Sequence, residues 1–149
     1  MTSRILFVCL GNICRSPTAE AVFRARAPGY QVDSAGTSGW HIGEPPYDAM
    51  QQATLARGYD MSDLRARQFT VADFTRFDLI VGMDAANIAD IEALRPSDVQ
   101  TPVHLFTDYV AAEGIAGVPD PYYTRNFDAT LSLIERASDG LLATLTPIP

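Results

Sequence analysis

The sequence of 149 residues has no lysine, one tryptophan, two histidines and two cysteines. Two cysteines cannot form a framework of several disulfides, and Cys9 and Cys14 lie far from His41 and His104, which excludes a zinc motif. No apolar run approaches the roughly 18 residues of a membrane span. The run at 5–10 is too short for the core of a signal peptide, and no cleavage site follows it. We therefore expect a protein of the reducing cytoplasm, without a metal site or a membrane partner.

The charge of the chain also restricts its partners. All 11 basic residues are arginines, and 18 acidic residues give a net charge of −7. A strongly acidic chain binds nucleic acid and anionic membranes poorly, so we expect no nucleic-acid partner. An anionic substrate would then need a binding site whose local charge is positive. Apolar residues form 47% of the chain, enough for one core, and the length predicts a single domain over residues 1–149.

Strands and helices alternate along the chain. The near-continuous apolar run at 4–9 predicts a strand buried on both faces. Further strands are predicted at 30–37, 78–83 and 103–106. Helices are predicted at 17–27 (with Ser16 as a cap before Pro17), 47–57, 71–77, 85–94 and 127–145. The segment 107–126 is predicted to be a long irregular loop. This order predicts an α/β fold, a parallel sheet with helices on both faces, whose ligand site lies beyond the carboxyl ends of the strands.

The loop after the first strand has the features of a phosphate site. Cys9 ends the strand and Arg15, with five residues between them, opens the helix. Gly11 and Asn12 tolerate left-handed backbone, so the loop can curl until its N–H groups point at one centre. The helix dipole adds to that field, and an arginine fork can bind two phosphate oxygens. The predicted phosphate-binding residues are Cys9, Leu10, Gly11, Asn12, Ile13, Cys14, Arg15 and Ser16.

The same positive field favours the thiolate of Cys9, which would lie below the bound phosphorus as a nucleophile. Ser16 can hydrogen-bond this thiolate and help to expel it later. The alternative is a buried cysteine that merely ends an apolar strand, the commonest role of a free cysteine. The strand, turn and helix around Cys9 favour the catalytic interpretation.

The segment LFVCLGNICRSPTAEAVF at 6–23 resembles the phosphate loop and first helix of the low-molecular-weight protein tyrosine phosphatases. The similarity extends to VDSAGTSGW at 32–40, ARQFTVADFTRFDLIVGMD at 66–84 and DPYY at 120–123, and so covers nearly the whole chain. The resemblance implies a four-stranded parallel sheet with flanking helices. It also implies that phosphotyrosine in a protein substrate is hydrolysed through a cysteinyl-phosphate intermediate, with no cofactor.

The resemblance assigns roles to three residues. Cys9 is the nucleophile, Arg15 binds phosphate and stabilises the transition state, and Asp120 is the general acid. No metal is needed, because Arg15 and the loop amides neutralise the charge. From the residues alone, a turn residue is the preferred interpretation of Asp120, since aspartate beside proline is ordinary in turns.

Other residues support the loop or line the cleft. The resemblance implies that Asn12 has a strained backbone, held by a hydrogen bond from Ser34. The family often has a histidine in this support where the chain has Leu64, which cannot donate a hydrogen bond. Ser34 and backbone groups are left to compensate.

The resemblance places Trp40, Tyr122 and Tyr123 around an aromatic substrate ring. A lone tryptophan is more often a core residue, but the glycine and serine neighbours of Trp40 favour an exposed loop. If the tyrosine segment is extended, at most one of the two tyrosines faces the ligand.

Two interpretations of Cys14 stay open. The resemblance implies that it pairs reversibly with Cys9 on oxidation, and the alternative is a small apolar filler behind the loop. Asp84 is predicted to be a helix N-cap rather than a metal ligand. His41 and His104 are predicted to be structural or surface residues.

Three other functions are compatible with a loop of this kind, and a feature of the sequence argues against each of them. Thiol-dependent arsenate reductases need further cysteines, and none follows Cys14. Protein-arginine phosphatases typically have a threonine where the chain has Ile13. A non-catalytic phosphotyrosine-binding module needs neither the nucleophile Cys9 nor the acid Asp120, so the complete set favours an enzyme.

Overall fold

The sheet has four parallel strands in the order β2-β1-β3-β4, in a computed structural model that describes residues 2–145. The strands are β1 (Arg4–Cys9), β2 (Gln31–Gly36), β3 (Leu79–Gly82) and β4 (Val103–Leu105). β1 pairs with β2 on one side and with β3 on the other, and β4 forms the edge beside β3. All four lie within the predicted ranges, which confirms the parallel α/β sheet.

The helices lie on both faces of this sheet. They are α1 (Arg15–Arg26), α2 (Asp48–Leu55), α3 (Asp73–Arg76), α4 (Ala85–Glu92), α5 (Pro121–Thr124) and α6 (Phe127–Thr144), with a 3₁₀ helix at Phe106–Glu113. Within residues 2–145, no helix is long and apolar enough to cross a membrane.

Two details of the prediction were wrong. The segment 107–126 is not irregular throughout, since it contains most of the 3₁₀ helix and all of α5. α5 is a single turn of four residues, too short to produce a helical pattern in the sequence. Ser16 does not cap α1, because the helix begins one residue earlier, at Arg15, and no side chain caps it. The amides of its first turn are therefore left for a ligand.

The core fixes the position of β1. Ile5 and Phe7 pack with α1 and α6 on one face of the sheet, whereas Leu6 and Val8 pack with α3 and α4 on the other. All four side chains are fully buried. Since both faces of β1 are held in this way, its carboxyl end at Cys9 is fixed at the edge of the sheet from which the following loop departs.

Candidate active site

The loop between β1 and α1 is shaped by Asn12. Its φ of 57° is left-handed, a conformation that favours glycine and asparagine. The Asn12 Nδ2 donates to Ser16 Oγ at 2.8 Å and to Ser34 Oγ at 3.0 Å, while Oδ1 accepts the backbone N–H of Arg67 at 3.0 Å. The resemblance implied a hydrogen bond from Ser34 to Asn12, whereas in the structure Asn12 is the donor and Ser34 the acceptor. The Arg67 amide, which sequence analysis missed, supplies support that Leu64 cannot.

A buried carboxylate stands behind Ser34. The Ser34 hydroxyl donates to Glu20 Oε1 at 2.7 Å, and Glu20 also pairs with Arg24. Burial raises the pKa of Glu20, against the opposing effect of these two partners. Glu20 therefore fixes the direction of the Ser34 hydroxyl and leaves the Ser34 oxygen free to accept from Asn12. The sequence analysis missed this role because Glu20 lies a full turn beyond the loop.

Two hydrogen-bond partners surround the sulfur of Cys9. The backbone N–H of Asn12 donates to Cys9 Sγ at 3.2 Å, and Ser16 Oγ lies 3.0 Å from the same sulfur. Cys9 is buried at the carboxyl end of β1, close to the uncapped start of α1. Hydrogen-bond donors and a helix N-terminus stabilise a thiolate more than a thiol. The arrangement therefore suits a cysteine that reacts as an anion.

Gly36, at the end of β2, allows the loop to pack closely against the neighbouring strand. A Cβ atom at Gly36 would lie 2.8 Å from the carbonyl oxygen of Leu10, a distance that backbone atoms cannot tolerate. The next residue, Thr37, donates its N–H to the Cys9 carbonyl at 2.9 Å. A glycine that ends a strand beside the loop is the signal that could have identified this residue from the sequence.

Arg15 is 3% exposed and held by groups from distant segments. Its Nη1 donates to Asp84 Oδ2 at 2.7 Å and to the Val118 carbonyl at 3.0 Å, and its Nη2 lies 3.5 Å from Asp120 Oδ2. Burial disfavours the guanidinium charge, but Cys9, Asp84 and Asp120 outweigh it and raise the pKa of Arg15. Arg15 is therefore a fixed cation beside the Cys9 sulfur.

Asp84 has two tasks. It caps α4, because its carboxylate accepts the Asn87 N–H at 2.8 Å, which confirms the predicted N-cap. It also binds Arg15, which the sequence analysis missed. β3, which Asp84 follows, is the neighbour of β1, so the two segments end at the same edge of the sheet. That adjacency is the signal that could have linked Asp84 to the loop.

Asp120 reaches the same edge from the other end of the chain. It is the N-cap of α5, and its Oδ1 accepts the Tyr122 N–H at 3.0 Å. Its Oδ2 is the atom that lies near Arg15. One carboxylate oxygen is thus engaged in the helix cap, and the other faces the cleft.

A cleft of about 190 Å³ opens above the loop. It is lined by Cys9, Leu10, Gly11, Ile13, Cys14, Arg15, Trp40, His41, Asp120, Tyr122 and Tyr123. Trp40 and Tyr123 are each 72% exposed, as expected for rim residues rather than core. The condition under which at most one of the two tyrosines would face the cleft does not apply, because the segment forms helix α5 and is not extended.

His41 lines the cleft, although the sequence analysis treated it as a residue without a part in the site. Its ring lies against Gly11, where a Cβ would be 3.0 Å from the His41 Cδ2 atom. The His41 Nδ1 is hydrogen-bonded to Glu44. Its position directly after Trp40 is the signal that could have placed it at the rim.

Cys14 is buried and free, like Cys9. Burial, followed by the nearby Cys9 charge, raises the pKa of the Cys14 thiol to about 12. Cys14 is therefore a neutral thiol at ordinary pH. Within residues 2–145, no group of three or more His, Cys, Asp or Glu side chains is arranged to hold a metal ion.

Comparisons with known proteins agree with this geometry. The family model for the low molecular weight phosphotyrosine protein phosphatases matches residues 4–147. The chain is 42% identical to the low molecular weight protein-tyrosine-phosphatase YfkJ of Bacillus subtilis, over 95% of this chain and 94% of the relative. It is 46% identical to a low molecular weight protein-tyrosine-phosphatase of Streptomyces coelicolor, over 96% of this chain and 93% of the relative.

Solved structures give the same result. The crystal structure of Bacillus subtilis YfkJ superposes with a TM-score of 0.91 at 41% identity, over 97% of this chain and 94% of that one. Wzb of Vibrio vulnificus, solved in complex with benzylphosphonate, superposes with a TM-score of 0.88 at 27% identity, over 97% of this chain and 100% of that one. The chain therefore belongs to the low molecular weight phosphotyrosine protein phosphatases, enzymes that hydrolyse phosphate monoesters.

Proposed function

We propose that the chain is a single domain over residues 1–149 that hydrolyses phosphotyrosine in protein substrates through a phosphate ester of Cys9. The observation that carries this proposal is the meeting of three groups in one cleft. Arg15 Nη2 lies 3.5 Å from Asp120 Oδ2, and both residues line the cleft with Cys9 at its base. A nucleophile, a fixed cation and a carboxyl group are the parts that the reaction needs.

The phosphate group is bound by the loop of residues 9–16. The backbone amides of the loop and the first turn of α1 surround the anion, and the Arg15 guanidinium binds its oxygens. Since the guanidinium is already held by Asp84 and Val118, little reorganisation is needed when the substrate arrives. Inorganic phosphate and other oxyanions are bound by the same contacts.

In the first step, the Cys9 thiolate attacks phosphorus in line with the tyrosine oxygen. An S–P bond forms while the P–O bond breaks, and Asp120 transfers its proton to the departing phenolate oxygen. Arg15 and the loop amides stabilise the charge on the three equatorial oxygens. The products of this step are free tyrosine on the substrate protein and a phosphate ester on the Cys9 sulfur.

In the second step, Asp120 is ionised and acts as a base. It takes a proton from a water molecule whose oxygen attacks phosphorus, and the S–P bond breaks to release phosphate and the Cys9 thiolate. Ser16 and the Asn12 N–H stabilise this thiolate as it leaves, since both lie within hydrogen-bond distance of the sulfur. The enzyme then returns to its starting state.

The cleft walls support an aromatic substrate. Trp40, Tyr122 and Tyr123 are exposed at the rim, where their rings can pack on the face of a phosphorylated tyrosine. The related Wzb of Vibrio vulnificus has been solved with benzylphosphonate, a ligand with an aromatic ring and a phosphonate group. Ile13 adds an apolar surface at the base of the cleft.

The proposal is tested with Asp120→Asn, which removes the proton but keeps the shape of the side chain. The kcat/KM for phosphotyrosine should fall by about 10²–10⁴-fold, as is typical when general acid catalysis is lost. Substrates with good leaving groups should lose less, because a stable phenolate departs without a proton. The alkaline limb of the pH–rate profile should flatten while the acidic limb persists.

An equal loss for good and poor leaving groups would contradict the assignment of the acid. Asp120 would then only position its segment, and the proton donor would be another carboxylate of residues 107–128.

A further inference from the structure

Arg125 has a backbone conformation that is unusual for its residue type. It directly follows α5 and has φ 61° and ψ 16°, in the left-handed region. Its N–H donates to the Pro121 carbonyl at 2.9 Å and so closes the single turn of the helix. Glycine adopts this conformation at no steric cost, whereas a residue with a long side chain is strained. The side chain of Arg125 is therefore expected to make a contribution that offsets the strain.

The guanidinium of Arg125 lies against two aromatic residues. Its Nη1 donates to Tyr47 Oη at 2.9 Å. Its Cζ lies 5.3 Å from the ring centroid of Tyr47 and 5.1 Å from that of Phe127. These two rings stack on each other at 5.9 Å with an interplanar angle of 19°. The cation is thus fixed by a hydrogen bond and two cation–π contacts.

Tyr47 connects this cluster with the phosphate loop. Its backbone N–H donates to the Ile13 carbonyl at 2.8 Å, so its main chain is attached to the loop itself. Its ring contacts that of Tyr122 in α5 at 5.5 Å, edge to face. Tyr47 is therefore bonded to the loop that carries Cys9 and in contact with the helix that follows Asp120.

Few contacts of its own side chains hold the helix α5, although its N-cap Asp120 lies 3.5 Å from Arg15. It has one turn, and of its residues only Pro121 is buried, while Tyr122, Tyr123 and Thr124 are exposed. A single turn is not stable by itself, because helix nucleation is unfavourable. Tertiary contacts must fix its position, and those of Arg125 and Tyr47 attach it to the phosphate loop.

We propose that Arg125 and Tyr47 are positioning residues that clamp the helix α5 onto the phosphate loop and thereby hold Asp120 at the leaving group. The inference rests on the proposed role of Asp120 as the general acid. The side chains of the clamp do not contact Asn12 or Arg15 directly, and these two residues are held by Ser34, Arg67, Asp84 and the Val118 carbonyl. The clamp therefore affects the transfer of the proton rather than the binding of the phosphate.

The test compares kcat/KM for phenyl phosphate, a poor leaving group, with that for p-nitrophenyl phosphate, a good one. Arg125→Gly keeps the left-handed backbone and removes the guanidinium, and Tyr47→Phe removes only the hydroxyl acceptor. For Arg125→Gly, kcat/KM for phenyl phosphate should fall about tenfold, less than the 10²-fold that a 1 Å misplacement can cost. The loss for p-nitrophenyl phosphate should be several-fold smaller. Arg125→Lys, which keeps a donor for Tyr47 Oη, should recover part of the loss.

The two substitutions should not be additive. The double variant should lose no more than Arg125→Gly alone, because the Tyr47 hydroxyl acts through the same contact. Arg76→Gln, on the exposed surface of α3, is the matched control. It should leave the ratio of kcat/KM for phenyl phosphate to kcat/KM for p-nitrophenyl phosphate unchanged. Thermal unfolding of each variant checks that the fold is retained.

Two results would overturn the clamp. One is an equal loss for both substrates in Arg125→Gly, and the other is full additivity in the double variant. If Asp120→Asn in the same assay loses more kcat/KM for phenyl phosphate than for p-nitrophenyl phosphate, only the clamp is contradicted and the proposed function stands. If Asp120→Asn shows no such dependence, the proposed acid itself is wrong.

Discussion

At the scale of single residues, the site surrounds one sulfur with hydrogen-bond partners. Cys9 Sγ has the Asn12 N–H at 3.2 Å and Ser16 Oγ at 3.0 Å, and the Asn12 side chain itself donates to Ser16. Since its oxygen accepts from Asn12, the Ser16 hydroxyl has one hydrogen to donate, and its acceptors are the Cys9 sulfur at 3.0 Å and the Ala35 carbonyl at 3.4 Å. Hydrogen bonds to charged groups are about twice as strong as neutral ones, so these contacts would support the thiolate that the proposed mechanism requires.

Much of this network could be predicted from residue types, and part of it could not. Gly11 and Asn12 indicated a left-handed turn because few other residues tolerate it, and the structure has that turn at Asn12. The Arg67 amide could not be predicted, because every residue has a backbone N–H and only the fold decides which one reaches Asn12. Glu20 was missed for a related reason, since its acceptor role depends on the separation of α1 from β2.

We propose that oxidation links Cys9 to Cys14 in a disulfide. The pKa of Cys14 then determines how the rate of disulfide formation depends on pH. Peroxide converts the Cys9 thiolate to a sulfenic acid, which condenses with the Cys14 thiol to a disulfide and releases water. Because burial raises the pKa of Cys14 to about 12, the reactive thiolate at position 14 becomes more abundant as pH rises towards that value. The rate of disulfide formation should therefore increase from neutral to alkaline pH.

Mass spectrometry after mild peroxide treatment should show a protein two hydrogens lighter, with activity restored by a reductant. Cys14→Ser is the matched control and should proceed to irreversible sulfinic and sulfonic acids at Cys9. If the unaltered protein loses activity only through these acids, Cys14 is an apolar filler and does not protect the nucleophile.

At the scale of secondary-structure elements, Asp84 joins two functions at the start of α4. Asp84→Asn keeps an acceptor for the helix cap but removes the charge opposite Arg15, whereas Asp84→Ala removes both. The Ala variant should be less stable than the Asn variant by about 1 kcal/mol, as is typical for the loss of an N-cap. Both should show a kcat/KM for p-nitrophenyl phosphate about tenfold lower, equivalent to about 1.4 kcal/mol.

Urea denaturation and steady-state kinetics on the two variants separate these effects. An Asn variant with the kcat/KM of the unaltered protein would show that the orientation of Arg15 does not depend on the Asp84 charge. Equal stability of the two variants would show that the cap contributes little to α4.

The long elements could be predicted from the sequence, and the short ones that complete the site could not. The buried run of β1 and the periodic pattern of α6 persist over enough residues to be recognised, and both predictions are confirmed. α5 has four residues, and its form is set by the Asp120 cap and the Arg125 contacts rather than by a pattern. For this reason the sequence left open whether the segment of Tyr122 and Tyr123 is extended, and the structure shows a helix.

At the scale of the whole molecule, the parallel sheet gathers distant segments at one edge. The loop after β1, the start of α4 after β3, and the segment that ends at Asp120 all lie there, and Arg15 contacts the last two. The chain has a net charge of −7, yet this edge holds a buried arginine and the uncapped start of α1. Anion binding is thus a local property that opposes the charge of the whole molecule.

If the chain is one domain, it should unfold in a single cooperative transition that an oxyanion shifts upward. Saturation at 100 times the Kd adds about 2.7 kcal/mol of stability. For a domain of this size that corresponds to a rise in Tm of roughly 5–10 °C. Cys9→Ser should retain the shift with phosphate, because the loop amides and Arg15 remain. Two separate transitions, or a shift that disappears in Cys9→Ser, would contradict this account.

The central claim, covalent catalysis by Cys9, is tested most directly by mass spectrometry of protein quenched with acid during turnover of p-nitrophenyl phosphate. We predict one phosphoryl group per chain, located on Cys9 after proteolysis. It should be absent from Cys9→Ser, which should also lack turnover. Asp120→Asn should accumulate the phosphorylated form, because hydrolysis of the S–P bond loses its base. A phosphoryl group on another residue, or substantial turnover by Cys9→Ser, would contradict the mechanism.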